Sequence, residues 1–345
     1  MVDGTAERQW VGIDLHLHRS VICRLDDQGN EIGWVRIDND PKALVRAVRK
    51  AGRRAPVAIE ATYGWYWAVD ALMAAKFEVH LAHPYGMKAM RSRRRVKTDQ
   101  RDARELANLL RLGSLPEAYI APPQLRELRE LVRYRMVLTK ANTAVKNGIR
   151  AVLAKHGIRL PVTDLECQRG TTMLDAVGLP GAYADRLASQ RRCLLQLEHE
   201  IGVVETQLDR MLRPHPGYRS LLKIQGLGPV LAGIFVAEIG DISRFPTADA
   251  LACWAGITPR LHASDLTVRH GHVSKQGSGL VRWAASRRCS ANANPACGKS
   301  VTRSSPAAAV PSATSPRSRP RTGCSIWSTA PLRDGQARAL RPAAA

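Results

Sequence analysis

Four acidic residues stand where an acid is either costly or crowded. Asp14 lies in the apolar run "WVGIDLH", with Val11 and Ile13 before it and Leu15 after it, and Glu60 closes the run "PVAIE". A lone acid in or at the end of an apolar strand is unfavourable unless it is exposed or paired. Asp99 and Asp102 follow the basic stretch "RSRRRVK" (91 to 97) and open the helical pattern "TDQRDARELANLL". Three residues apart at a helix start, they share a face and repel unless a cation lies between them. As structural groups, this pair caps the helix and complements its dipole, and the other two are incidental surface acids. As a functional set, four converging carboxylates require divalent cations. With two Mg²⁺ ions they form a clamp for in-line phosphoryl transfer. Arg91, Arg93, Arg94, Arg95 and Lys97 would then guide a phosphate backbone past it.

The elements that must position these acids follow from patterning. Residues 10 to 16, 20 to 26 and 31 to 38 read as strands in a meander. A helix at "PKALVRAVRKA", a strand at "PVAIEA", a helix at "GWYWAVDALMAAK" and a strand at "EVHLAHP" follow. Meander strands followed by alternating helix and strand predict a mixed α/β sheet. Two strands and a later helix are the three kinds of place from which a ribonuclease-H-like sheet draws its acids. In that fold the first and fourth strands are neighbours, so Asp14 and Glu60 can face each other beneath the last helix.

From about residue 124 to 213 the pattern turns helical. Leu131, Leu138, Val145 and Val152 recur every seven residues, as do Leu194, Ile201 and Leu208, interleaved with Leu197, Val204 and Met211. That seam predicts a coiled-coil hairpin or a dimerising helix pair, with the Gly- and Pro-containing segment 157 to 185 as the connection. A third unit opens with "LLKIQGLGPVLAGIFVAEIGDISRF", where Gly226-Leu227-Gly228-Pro229 forms a tight turn before an apolar helix. Such a helix-hairpin-helix-like turn either offers backbone N–H groups to a DNA phosphate or simply caps a helix. "TADALACWAGITPR" reads as further helix ending at Pro259.

Composition narrows the partners. A formal charge of +22 on 345 residues, with a pI near 10.4, makes a polyanion the expected ligand, nucleic acid ahead of an anionic membrane surface. No apolar run approaches the ~18 residues of a membrane span, and the N-terminus lacks a signal peptide's apolar core. The seven scattered cysteines have no paired spacing, which predicts neither a zinc site nor a disulfide framework but reduced thiols in the cytoplasm. From Ala284 onward, Lys and Arg total 10 against the single acid Asp334, and Pro occupies seven positions. Large aliphatic residues nearly vanish there. Residues 284 to 345 are therefore expected to be a disordered tail or the product of a frameshift near codon 284.

"VGIDLH", "AIEATYGWYW", "KTDQRDARELANLL" and "GLGPVLAGIFVAEIGDISRFPTADALACWAGITPR" together resemble the DEDD, RuvC-like transposases of the insertion-sequence one-ten family, relatives of the Piv invertase. The resemblance spans residues 10 to 283 in order. It implies a RuvC-like DEDD domain (1 to 123), a coiled-coil middle (124 to 213) and a small, mostly α transposase domain with a nucleophilic serine (214 to 283). By motif match, Asp14, Glu60, Asp99 and Asp102 become the metal-binding catalytic tetrad. Ser264 takes the nucleophile position, with His262 and Asp265 where the family usually has an aromatic residue and a glycine. From chemistry alone Ser264 is one of several loop serines. Gly226, Gly228, Ser274 and Lys275 are read as nucleic-acid contacts. The resemblance further implies recombination of element and target DNA directed by a guide RNA from the element, in a homo-oligomer, dimer or tetramer. The rival readings are a metal-dependent RuvC-like junction endonuclease, in which water attacks, and an inactive basic nucleic-acid-binding remnant.

Overall fold

The computed structural model describes residues 8–91, 98–264 and 267–291. The chain divides into two compact units, one ending at Ile120 and one starting at Ala121.

In the first unit, β1 (Trp10–Leu15), β2 (Arg19–Leu25) and β3 (Glu31–Asp38) form the meander. α1 (Pro41–Arg49), β4 (Pro56–Glu60), α2 (Tyr66–Ala74), β5 (Glu78–Ala82), α3 (Pro84–Arg91) and α4 (Asp99–Arg111) follow. The five-stranded sheet has the order β3-β2-β1-β4-β5. β1 pairs antiparallel with β2 and parallel with β4, and β4 pairs parallel with β5. The period of two sorts side chains onto two faces. Val11, Ile13, Leu15, Val57 and Ile59 join Leu44, Val48 and Leu72 beneath α1 and α2. On the other face, Val21, Cys23 and Leu25 meet Ala103 and Ala107 of α4, and Ala58 meets Leu106, Leu110 and Met87.

Gly12 explains how closely α4 lies on the sheet. A Cβ built there would come 1.9 Å from the Ala103 carbonyl oxygen and 2.5 Å from the Ala107 nitrogen. The helix rests on bare strand backbone, and two alanines are the residues that permit it. The neighbourhood of β1 and β4 and the helix across them match the arrangement anticipated from the sequence. α3 was not anticipated; its sequence, PYGMKAMR, begins at a proline and carries no sustained apolar stripe.

In the second unit, two 32-residue helices, α5 (Pro123–Ala154) and α7 (Gly181–Leu212), pack against each other, with α6 (Gln168–Asp175) between them in sequence. Part of the seven-residue seam is buried within the chain, while Met211 is exposed. Leu138, Val204 and Leu208 are buried in one cluster, and Leu194 in another with Ile149 and Leu153. α8 (Pro216–Leu222) and α9 (Pro229–Ile239) are joined through Gly226, at φ +82°, and Gly228, the residue before α9. α9 is the centre of the larger cluster, with Phe235, Val236 and Ala237 buried. It also buries Glu238, which accepts two hydrogen bonds from the Arg133 guanidinium, at 2.8 and 3.1 Å. Arg129 caps the same helix by donating to the Ala237 and Glu238 carbonyls.

Beyond α10 (Ala248–Trp254) the structure departs from the helical expectation. Pro259 does not end a helix; it opens β6 (Pro259–Ser264), which pairs antiparallel with β7 (Thr267–Val273). Every β6 residue is exposed, so neither the apolar alternation nor the apolar run that signals a strand is present. α11 (Gly279–Ala291) then continues past Trp283, with Ala284 and Ala285 buried in the core. The change in composition at Ala284 therefore does not end the helix. The remaining tail, 292 to 345, lies outside the described residues.

Candidate active site

Asp14 is the centre of the acidic constellation. Alternation puts Gly12 and Asp14 on the α4 face of β1, while Val11, Ile13 and Leu15 face the opposite core. The Gly12 contact then delivers the first turns of α4 to Asp14. Thr98 caps that helix, its hydroxyl accepting from the Arg101 N–H at 3.4 Å. The capping role considered for Asp99 and Asp102 thus falls to Thr98, although both acids still lie in the favourable first turn. Asp102 is buried with only 7 % exposure, and Asp14 with 8 %. Asp99 is half-exposed and within 3.8 Å of the Arg36 guanidinium.

Electrostatics report the crowding. Burial pushes the Asp14 carboxyl above the usual carboxylate range, His16 opposes that shift, and the negative charges of Asp102 and Asp99 add to it. A carboxyl raised first by burial and further by two acidic neighbours gains from any cation placed beside it. Glu60 ends β4, two residues beyond Ala58, whose register partner is Gly12. It therefore falls on the same face of the sheet as Asp14, on the adjacent strand. The structure thus gathers Asp14, Asp99 and Asp102, and sets Glu60 beside them by register.

His16 was missed. Its Nε2 lies 3.0 Å from Asp14 Oδ2 and 3.5 Å from Asp99 Oδ1. The three ligand atoms of Asp14, His16 and Asp99 all lie within 4.8 Å of one another, a grouping that can hold a metal ion. The available signal was the D-x-H spacing in "IDLH", since residues two apart at a strand end project to one side.

Ser264 sits in the second unit as the last residue of β6, exposed, opposite Thr267. His262, also exposed, stands opposite Arg269. The base of this ribbon is anchored by close backbone packing. Gly256 and Gly277 both have left-handed φ, of +70° and +78°, and a Cβ on them would fall 2.0 Å from the Gln276 oxygen and 1.9 Å from the Trp254 oxygen. Arg282 donates to the carbonyls of Ala255, Gln276 and Gly277. Lys275 is itself left-handed, at φ +55°, with its N–H donated to the Gly256 carbonyl and its side chain exposed. Of the basic stretch, Arg91 ends α3, whereas Arg93, Arg94, Arg95 and Lys97 lie outside the described residues, as does Asp265. Among the described residues no helix is long and apolar enough to cross a membrane.

Two family models match the chain. One, described as "Transposase", covers residues 11–158, and the other, described as "Transposase IS116/IS110/IS902 family", covers residues 218–294. Together they include all four acids and the serine ribbon. Among similar proteins is a "Probable family 20 transposase" of Pseudomonas aeruginosa, 28 % identical across 79 % of this chain and 76 % of its own length. Another is the transposase for insertion sequence element IS1111A of Coxiella burnetii, 23 % identical across 79 % of this chain and 74 % of its own length. The insertion element IS116 44.8 kDa protein of Streptomyces clavuligerus is 24 % identical across 80 % of this chain and 82 % of its own length.

Proposed function

The chain belongs to the IS116/IS110/IS902 family of transposases, and from that premise we propose that it cleaves and rejoins insertion-sequence DNA with Asp14, Glu60, Asp99 and Asp102 as metal ligands and Ser264 as nucleophile. The observation that carries this reading is the convergence of Asp14, Asp99 and Asp102 on one sheet face, with the Asp14 carboxyl raised by burial and by both neighbours. The strand order β3-β2-β1-β4-β5, antiparallel on one side of β1 and parallel on the other, supports a ribonuclease-H-like, RuvC-like assignment for the first unit. The α5 and α7 pair supports the coiled-coil assignment, and the Gly226-to-Pro229 turn supports the helix-hairpin-helix-like one.

The family implies use of divalent metal, and an all-oxygen acidic set suits Mg²⁺, two ions in this reading. When bound, these ions polarise the scissile phosphate and stabilise attacking and leaving oxygens. The chain's own residues do the rest. The carboxylates fix the phosphate's position, and the buried pair Asp14 and Asp102 excludes bulk water from one side. The Ser264 hydroxyl attacks phosphorus, losing its proton to solvent, as the bond to the leaving deoxyribose oxygen breaks and that oxygen takes up a proton from solvent to become a hydroxyl. The phosphoserine ester conserves the broken bond, and a DNA hydroxyl reverses the step on the new partner without ATP. Exposure of Ser264 at a ribbon end suits attack on a large substrate.

Arg91, Arg93, Arg94, Arg95, Lys97, Gly226, Gly228 and Lys275 are proposed contacts to the phosphate backbones of DNA and of a guide RNA. Assembly as a homo-oligomer is proposed, with exposed Leu195 and Val203 of α7 as outward apolar groups. Action on DNA is expected in the cytoplasm. The family match continues to residue 294, past the Ala284 position at which a reading-frame change was expected; translating the gene's other frames tests that expectation.

The deciding assay is incubation with supercoiled element-junction DNA, Mg²⁺ and, in parallel, RNA transcribed from the element's ends. A covalent protein–DNA adduct is the expected product. Free ends without adduct would instead indicate a junction nuclease, and uncut, bound DNA an inactive remnant.

A further inference from the structure

We propose that His16 is an additional ligand at this cation centre, contributing an imidazole nitrogen to the carboxylate set and tilting it from Mg²⁺ towards first-row transition ions such as Co²⁺. The inference rests on the metal-binding reading above and adds a residue outside the tetrad. With metal–ligand bonds of about 2.1 Å, adjacent donors around one octahedral ion lie about 3.0 Å apart. His16 Nε2 stands 3.0 Å from Asp14 Oδ2 and 3.5 Å from Asp99 Oδ1, so the three atoms need little rearrangement to share an ion. The elements carrying them are independent. His16 follows the end of β1, and Asp99 starts α4, with the Gly12 contact holding one against the other.

A plain ion pair is the competing account. It would bring His16 to one acid, and an exposed pair of that kind contributes little. The His16 side chain is 52 % exposed, yet it points its nitrogen between two acids from different elements. Imidazole suits Zn²⁺, Ni²⁺ and their neighbours, whereas Mg²⁺ takes oxygen and retains water.

The test uses the full chain and metal salts alone. Mn²⁺ bound to the protein is examined by electron spin-echo modulation, which reads directly bound ¹⁴N. The nitrogen signal is expected in the parent protein and absent from His16→Ala and His16→Gln, with Mn²⁺ still bound. By calorimetric titration, the preference for Co²⁺ over Mg²⁺ should fall at least about tenfold in both variants while Mg²⁺ affinity stays within about threefold. Bound Mn²⁺ with no nitrogen signal in the parent, or equal weakening of both ions, overturns the ligand assignment while leaving the acidic centre standing. Mn²⁺ binding that is unchanged in Asp14→Asn overturns the metal reading itself, and this inference with it.

Discussion

Around Asp14, a strand, its parallel neighbour and a helix meet backbone to backbone, whereas Ser264 ends the exposed strand β6 of a two-stranded ribbon anchored at its base. The acids sit among fully buried residues such as Val21, Ala103 and Ala58. No residue of β6 is buried. The contrast separates two demands on a phosphoryl-transfer site. A cation centre requires several charges at fixed separations before substrate arrives, because gathering them costs repulsion. A nucleophile requires one oxygen and freedom to meet a bulky substrate. In the proposed reading, rigid packing answers the first demand and an anchored ribbon the second.

If that division of labour is right, the largest effects are chemical. Asp102→Asn should reduce DNA strand cleavage by about 10²-fold or more, as loss of a metal ligand does, with DNA binding retained in a gel-shift assay. Near-normal cleavage in Mg²⁺ would return Asp102 to a structural role. Ser264→Ala should eliminate covalent adducts on denaturing gels, yet change unfolding free energy by less than about 0.5 kcal/mol, as exposed positions do. Adducts that persist would move the nucleophile elsewhere, with Ser274 and Ser278 the next to test.

Glycine substitutions probe the packing on each side. Gly12→Ala forces a methyl into the Ala103 and Ala107 backbone and should cost about 3 kcal/mol in urea denaturation, in the upper range for overpacking. Cleavage should fall with it, because α4 carries two of the acids. Gly277→Ala meets the Trp254 carbonyl at a left-handed φ and should cost about 2 kcal/mol, while Mn²⁺ binding at the acids stays unchanged. Equal damage to metal binding by both variants would erase the proposed separation.

The smallest effect concerns pH. His215 caps α8, accepting from the Tyr218 N–H at 3.3 Å, and burial holds its imidazole below its ordinary value of 6.5. A depressed histidine is neutral when folded, so its contribution is present above the unfolded value and is lost as pH falls from about 6.5 towards the folded one. His215→Asn keeps a good cap and should flatten that acid-side loss. Thermal melts of both proteins between pH 7.5 and 5.5 check it; parallel curves would show that His215 contributes no pH dependence.

How far the sequence could be read follows the same contrast. β1, β2 and β4 were legible because apolar residues run together where both faces are buried, and β3 because Val35 and Ile37 alternate on its one half-buried face. Asp14 and Glu60 were conspicuous because they interrupt such runs. β6 was not legible, since none of its residues is buried and so nothing constrains its side chains to a period. His16 escaped for a related reason: a histidine beside a polar turn carries no mark until Asp99 arrives from 83 residues further along the chain. The ion pair of half-exposed Arg133 with buried Glu238 was equally silent, joining positions 105 apart. α11 past Trp283 looked unstructured only because its buried residues are small alanines.

The bare contact at Gly12 has a consequence for how such a chain can change over time. Because α4 meets main chain at Gly12, the separation of Asp14 from Asp99 and Asp102 depends on peptide geometry there and on the small size of Ala103 and Ala107. The large residues beneath α1 and α2 can exchange for one another, and the opposite face drift in sequence, without moving the acids. Descendants of this chain can therefore diverge widely and keep the same spacing of charges, so long as Gly12 never acquires a side chain and Ala103 and Ala107 stay small.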